Sequence, residues 1–569
     1  MGIPSYFSYI IKNHANIIRN RRKLRTVFSS LYMDCNSIIY DSVRSIESDT
    51  EQRPKGFNIE SAIINAVIAK IEKYVDDIQP SNVIYIAFDG VAPFAKMEQQ
   101  RIRRHKTGYL SEISRKSKGV ELGSEKYSGR DAGGIQSNSG ELSSKEFGTS
   151  FNTTAITPGT EFMNLLSLRV KRAFVESGRG FGAKTVVVSG SDEPGEGEHK
   201  MFQYMRENVA KDETVAVYGL DADLIMLSVF HCFSCKNIFI FRESPEFGKA
   251  YLEDNFARDE CLYLDNRALA GAILSEMGVT MSDSTESMGR IYDYIFACFL
   301  LGNDFLPHFP ALNIRTHGNY TILETYRNII ARFADRRFIS LSTGNIQWRW
   351  VKAFLLELAK NEPKMILDEY ESRHKMEKRY YPSTTHEERT TAFDNIPTIY
   401  RAEEHYINPQ ENGWERRYYR VALHLETTVL EKSMMDELCN NYLEGLEWTF
   451  KYYTEGCPHW RWKYNYHYPP LLSDLVNYIP NFETAFIDDN KGINRPFHPN
   501  TQLAYVIPKW NHNLLPKKLQ KHLRQTNYVD LSELKFQWMF CRYFWESHTL
   551  LPTISLRELE TLDEMSGKI

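Results

Sequence analysis

The stretch VIYIAFD, Val83–Asp89, decides the fold. Its apolar run is short and has no polar face, as expected for a strand that helices cover on both sides of a sheet. Four other segments share this character: Val27–Met33, Thr185–Ser189, Val215–Leu220 and Asn237–Phe241. Longer helical patterns lie between them, such as Ile59–Asp77 and His199–Asn208. This order predicts an α/β fold with a mostly parallel sheet flanked by helices.

Acidic residues follow these strand segments or lie just beyond them. They are Asp34, Asp89, Glu196, Glu198, Asp221 and Asp223, and a further acid, Asp304, lies in the motif LLGNDFLPHFP. Open α/β sheets bind ligands beyond the carboxyl ends of their strands, so we expect these carboxylates to converge. The alternative for each single acid is a helix cap or a solvated turn residue.

Many carboxylates in one pocket repel each other and raise each other's pKa. Hard cations with oxygen ligands remove this repulsion, and the absence of Cys and His from the set favours Mg²⁺ or Mn²⁺. Two such ions about 4 Å apart would activate a water and stabilise the leaving oxygen of a phosphodiester. Cys232 and Cys235 form a lone CxxC, for which buried thiols are expected rather than a zinc site.

A basic helix is predicted directly after Asp89, in the sequence GVAPFAKMEQQRIRRHK. Pro93 suits the first turn of a helix. Four polar residues then recur at i, i+4, i+7 and i+8, which places them on one face: Lys96, Gln100, Arg103 and Arg104. Three cations and an amide on one face can hold a phosphate, which arginine binds with two parallel donors. The alternative is a solvated charged face.

The rest of the chain sets the class of protein and its organisation. With 569 residues, 42% hydrophobic and 25% charged, the composition is that of a soluble globular protein. The net charge of −4 restricts nucleic-acid binding to local basic clusters, RNRRKLR and RIRRHK.

Residues 107–152 are polar and aperiodic and predict a long mobile insertion. Beyond residue 330 the chain becomes helical and aromatic, so we expect two domains, 1–330 and 331–569.

A series of motifs, in this order along the chain, resembles the signatures of the XRN-type 5′→3′ exoribonucleases. The motifs are MGIPSYFSYI, YMDCNSIIY, AFDGVAPFAKMEQQRIRR, ITPGTEFM, SDEPGEGEHKM, VYGLDADLIML, FLLGNDFLPHFPAL and CPHWRWKYNYHYPP. The resemblance covers nearly the whole chain as the two conserved regions of that family. We expect a compact member that lacks the long carboxy-terminal extension.

The resemblance implies an activity and a set of site residues. It implies a PIN/flap-nuclease-like core that degrades single-stranded RNA processively from a 5′-monophosphate end to nucleoside 5′-monophosphates, in RNA decay. The seven acids would hold two Mg²⁺ ions, and the four residues of the basic helix would bind the 5′-phosphate. A family histidine that stacks on the 5′ base is replaced here by Tyr40, whose ring can still stack. Its partner is expected to be Trp460 or Trp462.

The sequence also fits two rival functions. The first rival is a 5′→3′ DNA exonuclease or flap-type nuclease, and the second is a non-catalytic protein that binds 5′ ends. The intact set of acids argues against the second. We expect a monomer without membrane contact, with decapping or RNA-decay proteins as partners, in the cytoplasm rather than the nucleus.

Overall fold

The computed structural model describes residues 6–24, 26–48, 56–124, 151–179, 181–219, 221–243, 260–282, 284–426, 431–488, 492–525 and 534–567. Its centre is a sheet in the order β1-β7-β6-β5-β2-β3-β4. The strands are β1 Ile18–Asn20, β2 Ser30–Asp34, β3 Val83–Ala87, β4 Thr185–Ser189, β5 Thr214–Tyr218, β6 Asn237–Glu243 and β7 Cys261–Asp265. The five strands from β2 to β6 pair in parallel, whereas β7 is antiparallel to both β6 and β1.

Helices cover both faces of this sheet. Those of the first half are α1 Tyr6–Asn13, α2 Asn36–Ser48, α3 Ile59–Ile78, α4 Phe94–Ser124, α5 Glu161–Lys171, α6 Gly197–Asn208, α7 Ala222–His231, α8 Asn266–Glu276, α9 Thr285–Cys298 and α10 Gly318–Tyr326. Alternate strand residues face opposite sides, because the side-chain period of a strand is two residues. Ile84 and Ile86 pack with α2, α3 and α5, whereas Val83 and Tyr85 face the cluster that contains α6 and α7. The predicted α/β class is confirmed.

The second half is mainly helical and rich in buried aromatic residues. Its helices are α11 Trp348–Glu377, α12 His386–Asp394, α13 Ile396–Ile399, α14 Ala402–Ile407, α15 Trp414–Ala422, α16 Lys432–Thr454, α17 Leu472–Leu475, α18 Pro499–Val506, α19 Lys517–Gln525 and α20 Leu556–Ser566. A small hairpin pairs β8 Lys535–Gln537 with β9 His548–Leu550. One hydrophobic cluster runs from the sheet into α11 and α16. None of the helices in the described parts of the chain combines the length and apolar character that crossing a bilayer requires.

Two expectations about local structure need correction. Residues 107–124 were predicted as part of an insertion, yet they continue α4 as a helix, while residues 125–150 lie outside the described residues. The strands β1 and β7, of which β1 forms one edge of the sheet, were not predicted. β1 is only three residues long and reads IRN, so it has no apolar run to reveal it. The predicted division at residue 330 stays a prediction.

Candidate active site

Three of the seven predicted acids lie side by side at the carboxyl end of the sheet. Asp34 is the last residue of β2, Asp89 follows β3, and Glu198 lies in the first turn of α6. One carboxylate oxygen from each lies within 4.8 Å of the other two. They meet because neighbouring parallel strands end at the same edge of the sheet.

The backbone around these acids allows a close approach. The Gly197 N–H donates to Asp89 Oδ1 at 2.8 Å. A β carbon at Gly197 would lie 2.7 Å from Asp34 Oδ1, so any larger residue would displace that carboxylate. The Asn36 N–H donates to Asp34 Oδ1 at 3.3 Å, and Asn36 Oδ1 accepts from the Asp89 N–H at 3.3 Å. Both aspartates are therefore oriented by neighbouring polar groups.

A buried lysine joins two further acids. Lys96 Nζ lies 2.5 Å from Glu196 Oε2 and 2.6 Å from Asp304 Oδ2, and these acid side chains are 2% and 3% exposed. Burial alone would lower the pKa of Lys96, but the charges of Asp304 and Glu196 raise it well above its ordinary value. The ammonium group therefore neutralises acids, and its contact with a phosphate stays a prediction.

The last two acids lie at the start of α7. Asp223 is 5% exposed and accepts a hydrogen bond from the Tyr453 hydroxyl, whereas Asp221 is exposed. Glu196 and Asp221 occupy the N-cap positions of α6 and α7, yet neither side chain accepts a capping hydrogen bond. The helix-cap alternative therefore does not explain these two acids.

The electrostatics of the acids favour a cation. Burial first, and then the charges of neighbouring acids, raise the pKa of Asp34 and of Glu198 well above their ordinary values. A hard divalent cation would relieve this repulsion, and such ions prefer oxygen ligands. The N-terminus of α6 adds a partial positive charge beside the same acids. The donor set therefore fits a metal ion held by Asp34, Asp89 and Glu198.

The remaining three residues of the predicted phosphate face differ in their surroundings. Gln100 is buried, and its Oε1 accepts from Gln502 Nε2 at 3.4 Å. Arg104 Nη2 donates to the Ile156 carbonyl at 3.0 Å, and burial lowers the pKa of Arg104 to about 10, which keeps it charged at neutral pH. Arg103 is exposed and forms no ion pair with any described residue. Arg103 is thus the residue of this face that is most accessible to a ligand.

The three predicted stacking residues are not equivalent. Tyr40 is half-buried on α2. Trp462 is 9% exposed, stacks on Trp448 with ring centroids 5.2 Å apart, and donates from Nε1 to Glu444 at 3.1 Å. Trp460 is half-buried, and its carbonyl accepts from the Phe94 N–H at 3.0 Å. Trp462 is therefore a core residue, and Trp460 lies at the start of the basic helix.

Two family models together match most of the chain. The model described as the XRN 5′-3′ exonuclease N-terminus matches residues 1–244. The model described as the Xrn1 helical domain matches residues 287–408 and 400–568. The chain belongs to the XRN 5′-3′ exonuclease family.

Named XRN relatives align with nearly the whole chain at low identity. The 5′-3′ exoribonuclease 2 of Gallus gallus is 26% identical over 98% of this chain and 69% of its own length. The 5′-3′ exoribonuclease 1 of Saccharomyces cerevisiae is 25% identical over 91% of this chain and 40% of its own length. The 5′-3′ exoribonuclease 1 of Homo sapiens is 27% identical over 98% of this chain and 34% of its own length. The chain therefore spans 69% of the length of the first of these relatives and less than half of the length of the other two. A solved structure of the catalytic core of Rad2 in complex with DNA substrate is 13% identical and covers 58% of this chain and 69% of the Rad2 chain. Its TM-score of 0.28 is too low to carry an argument.

The structure of this XRN family chain also reveals site residues that sequence reasoning missed. The Tyr452 hydroxyl donates to Glu196 Oε1 at 2.8 Å, as that of Tyr453 donates to Asp223. Lys200 is buried, donates to the Gly190 carbonyl at 2.9 Å, and has its pKa lowered to about 8 by burial. The tyrosines lie in GLEWTFKYY, more than 200 residues from the acids that they contact, so no local spacing could have revealed them.

Proposed function

We propose that this chain is a processive 5′→3′ exoribonuclease. Its substrate is single-stranded RNA with a 5′-monophosphate, its products are nucleoside 5′-monophosphates, and its role is RNA decay. The observation that carries the proposal is the cluster of buried and half-buried acids at the strand ends, beside the basic face of α4. The names of the relatives, all 5′-3′ exoribonucleases, support the reaction and the polarity.

The cofactor in this proposal is a pair of Mg²⁺ ions, for which Mn²⁺ can substitute. Asp34, Asp89 and Glu198 would bind one ion through the oxygens that already converge. The nearby acids Glu196, Asp221, Asp223 and Asp304 would complete the ligand set. When bound, such ions activate a water and stabilise the leaving oxygen of a phosphodiester.

The substrate end is held by α4 in this proposal. Arg103 and Arg104 would bind the 5′-phosphate through paired N–H donors, together with Gln100 and Lys96. Support comes from Arg104 Nε, which is buried without a hydrogen-bond partner in the described structure, and from the exposure of Arg103. A phosphate there would lie next to the acids, because Lys96 on the same helix contacts two of them.

The 5′ base would stack between Tyr40 and Trp460. Trp460 is favoured over Trp462 because the ring of Trp462 is already packed on Trp448. We further propose that residues 331–569 form a second domain that completes the pocket, since Tyr452 and Tyr453 come from it. A monomer that acts in the cytoplasm with decapping or RNA-decay proteins is proposed from the sequence, where RNRRKLR is too short to be a clear nuclear-localisation run.

The test compares four substrates of one sequence with purified protein and Mg²⁺. These are RNA with a 5′-monophosphate, a 5′-triphosphate or a 5′-hydroxyl, and the single-stranded DNA with a 5′-monophosphate. We expect rapid decay of the monophosphate RNA alone, with release of mononucleotides. Equal decay of all RNA ends would refute the phosphate pocket, and preference for DNA would support the rival nuclease. A preparation of Asp89→Asn controls for contaminating nucleases.

A further inference from the structure

A cavity of about 520 Å³ lies beside α4, and of the four proposed phosphate contacts only Arg103 lines it. Its walls are α4, the segment 301–315 that contains Asp304, the segment 463–468, and the segment 539–548. The volume lies within the range of about 300–1,000 Å³ that is typical of small-ligand sites. Asp304 and Arg103 line the cavity and also belong to the candidate active site, so the two spaces adjoin.

The two sides of α4 have different neighbours. Gln99, Ile102, Lys106 and Leu110 line the cavity, at spacings of three to four residues that place them on one helix face. Gln100 and Arg104 are each two positions from Ile102, about 200° around the helix, and Arg104 contacts Ile156. An RNA 5′-phosphate on Gln100 and Arg104 would therefore lie on the opposite side of α4 from Ile102.

Three residues that line the cavity carry buried polar atoms without partners. Ser547 is 2% exposed, and its hydroxyl has no hydrogen-bond partner in the described structure. Gln99 and Asn303 are half-buried, but Gln99 Oε1 and Asn303 Nδ2 are buried atoms that also lack a partner there. Buried polar atoms are usually hydrogen-bonded, so a rotation of these side chains toward the cavity would supply donors and acceptors for a polar ligand.

Flat rings and neutral imidazoles form the wall opposite α4. His467 and His548 lie with ring centroids 5.2 Å apart, and Tyr466 is half-buried beside them. Burial lowers the pKa of His308 and of His467 to about 4, so both are uncharged at neutral pH. Neutral rings can stack on a nucleobase and hydrogen-bond to its edge, and Arg103 offers a cation for a phosphate at the side next to the acids.

We propose that this cavity binds the nucleoside 5′-monophosphate product as it leaves the active site. The inference rests on the proposed function, because a processive enzyme must release each nucleotide while the RNA stays bound. The product forms with its phosphate on α4 and its base at Tyr40 and Trp460, and it can leave past Arg103 and Asp304 into the cavity, which both of these residues line. The exit of the product would then differ from the path by which the next RNA phosphate enters.

The test fills the cavity from α4 with Ile102→Trp and, as an independent variant, Leu110→Trp. Ile102→Val is the matched control that leaves the space open, and thermal unfolding shows that each variant is folded. AMP serves as the product probe. We expect Ile102→Trp to weaken inhibition of RNA decay by AMP about tenfold, with several-fold slower steady-state turnover. Cleavage of the first nucleotide, measured by chemical quench with enzyme in excess, should stay within about twofold of the wild-type rate.

Binding of AMP is also measured without RNA, by equilibrium dialysis and by photo-crosslinking with 8-azido-AMP. We expect crosslinks within residues 463–468 or 539–548 that Ile102→Trp abolishes. Crosslinks confined to the neighbourhood of Tyr40, or unchanged AMP inhibition in both tryptophan variants, would overturn the proposal. So would a raised KM for RNA with slowed first cleavage, since the cavity would then be part of the RNA path. Because AMP binding needs no turnover, a wild-type protein that binds AMP here but degrades no RNA would refute the proposed function separately.

Discussion

Lys96 is the residue on which the candidate site depends most before any metal binds. Its ammonium group is the shared partner of Glu196 and Asp304, both of which are almost completely buried. Lys96→Met would leave these two carboxylates uncompensated. Removal of one partner from a buried ion pair costs about 3–5 kcal/mol, so we expect unfolding in EDTA to become easier by an amount of that order.

The measurement is chemical denaturation with and without Mg²⁺. Addition of Mg²⁺ should recover part of the lost stability, because the ion supplies the missing positive charge. Lys364→Met, which removes an exposed lysine from a helix, is the matched control and should change stability by less than about 0.5 kcal/mol. Equal stability of Lys96→Met and the wild type in EDTA would contradict this role.

Removal of the charge of Glu198 should preserve or raise stability while it lowers activity, unlike removal of the charge of Lys96. Its carboxylate lies close to those of Asp34 and Asp89, so Glu198→Gln removes repulsion from the metal-free protein. We expect the melting temperature in EDTA to stay the same or rise, and the stabilisation by Mg²⁺ to shrink. RNA decay should fall at least about a hundredfold, which corresponds to about 2.7 kcal/mol of the activation barrier. Glu207→Gln, at an exposed position of the same helix α6, should leave decay and melting unchanged.

Sequence reasoning at the residue scale found the acids but not their partners. The acids follow strands whose parallel order fixes where they end, so their convergence was predictable for Asp34, Asp89 and Glu198. The lysine contact to Asp304 joins residues that are 208 positions apart, which no spacing rule reaches. The core position of Trp462 depends on Gly445, where a β carbon would lie 3.0 Å from the indole ring. Such packing is a property of the folded chain.

At the scale of elements, α16 connects the second half of the chain to the acids. Tyr453 donates to Asp223 and Tyr452 donates to Glu196, so one helix orients two candidate metal ligands. Groups that orient metal ligands typically contribute about 10–100-fold to metal affinity or activity. We expect Tyr453→Phe to raise the Mg²⁺ concentration for half-maximal RNA decay about tenfold.

The experiment is a Mg²⁺ titration of RNA decay at saturating RNA. Tyr320→Phe removes the hydroxyl of a tyrosine that is 61% exposed, and this control should leave the titration unchanged. A Tyr453→Phe variant with a wild-type Mg²⁺ midpoint would show that α16 only packs against the site. A loss of activity that high Mg²⁺ does not restore would likewise contradict an effect on metal affinity.

The elements themselves were predicted with uneven success, for physical reasons. Strand Thr185–Ser189 has the bounds that its apolar run indicates, and α3 ends one residue beyond the predicted Asp77. The helix α4 extends to Ser124 although its distal half is polar. Apolar periodicity could therefore not reveal where this helix ends. The antiparallel strand β1 depends on its partner β7 rather than on its own sequence.

At the scale of the whole molecule, the two halves share one hydrophobic cluster. Phe305 of the first half lies 4.9 Å from the ring of Trp448 and 5.5 Å from that of Tyr452, and Phe299 lies 5.3 Å from that of Tyr453. The Tyr442 hydroxyl also donates to the Pro307 carbonyl at 3.1 Å. Each large apolar side chain that is fully buried contributes about 1.5–3 kcal/mol. Exposure of several such side chains would cost a free energy comparable to the whole net stability of a typical domain, about 5–15 kcal/mol.

We therefore expect residues 1–330, expressed alone, to form no stable nuclease. The exposed partners of α16 should bind a hydrophobic dye such as ANS, thermal unfolding should lack a cooperative transition, and RNA decay should be absent. Co-expression with residues 331–569 should restore a complex that degrades RNA, because the contacts between the halves are non-covalent. A fragment 1–330 that unfolds cooperatively and binds Mg²⁺ as the full chain does would show instead that the first half completes the metal site without Tyr452 and Tyr453.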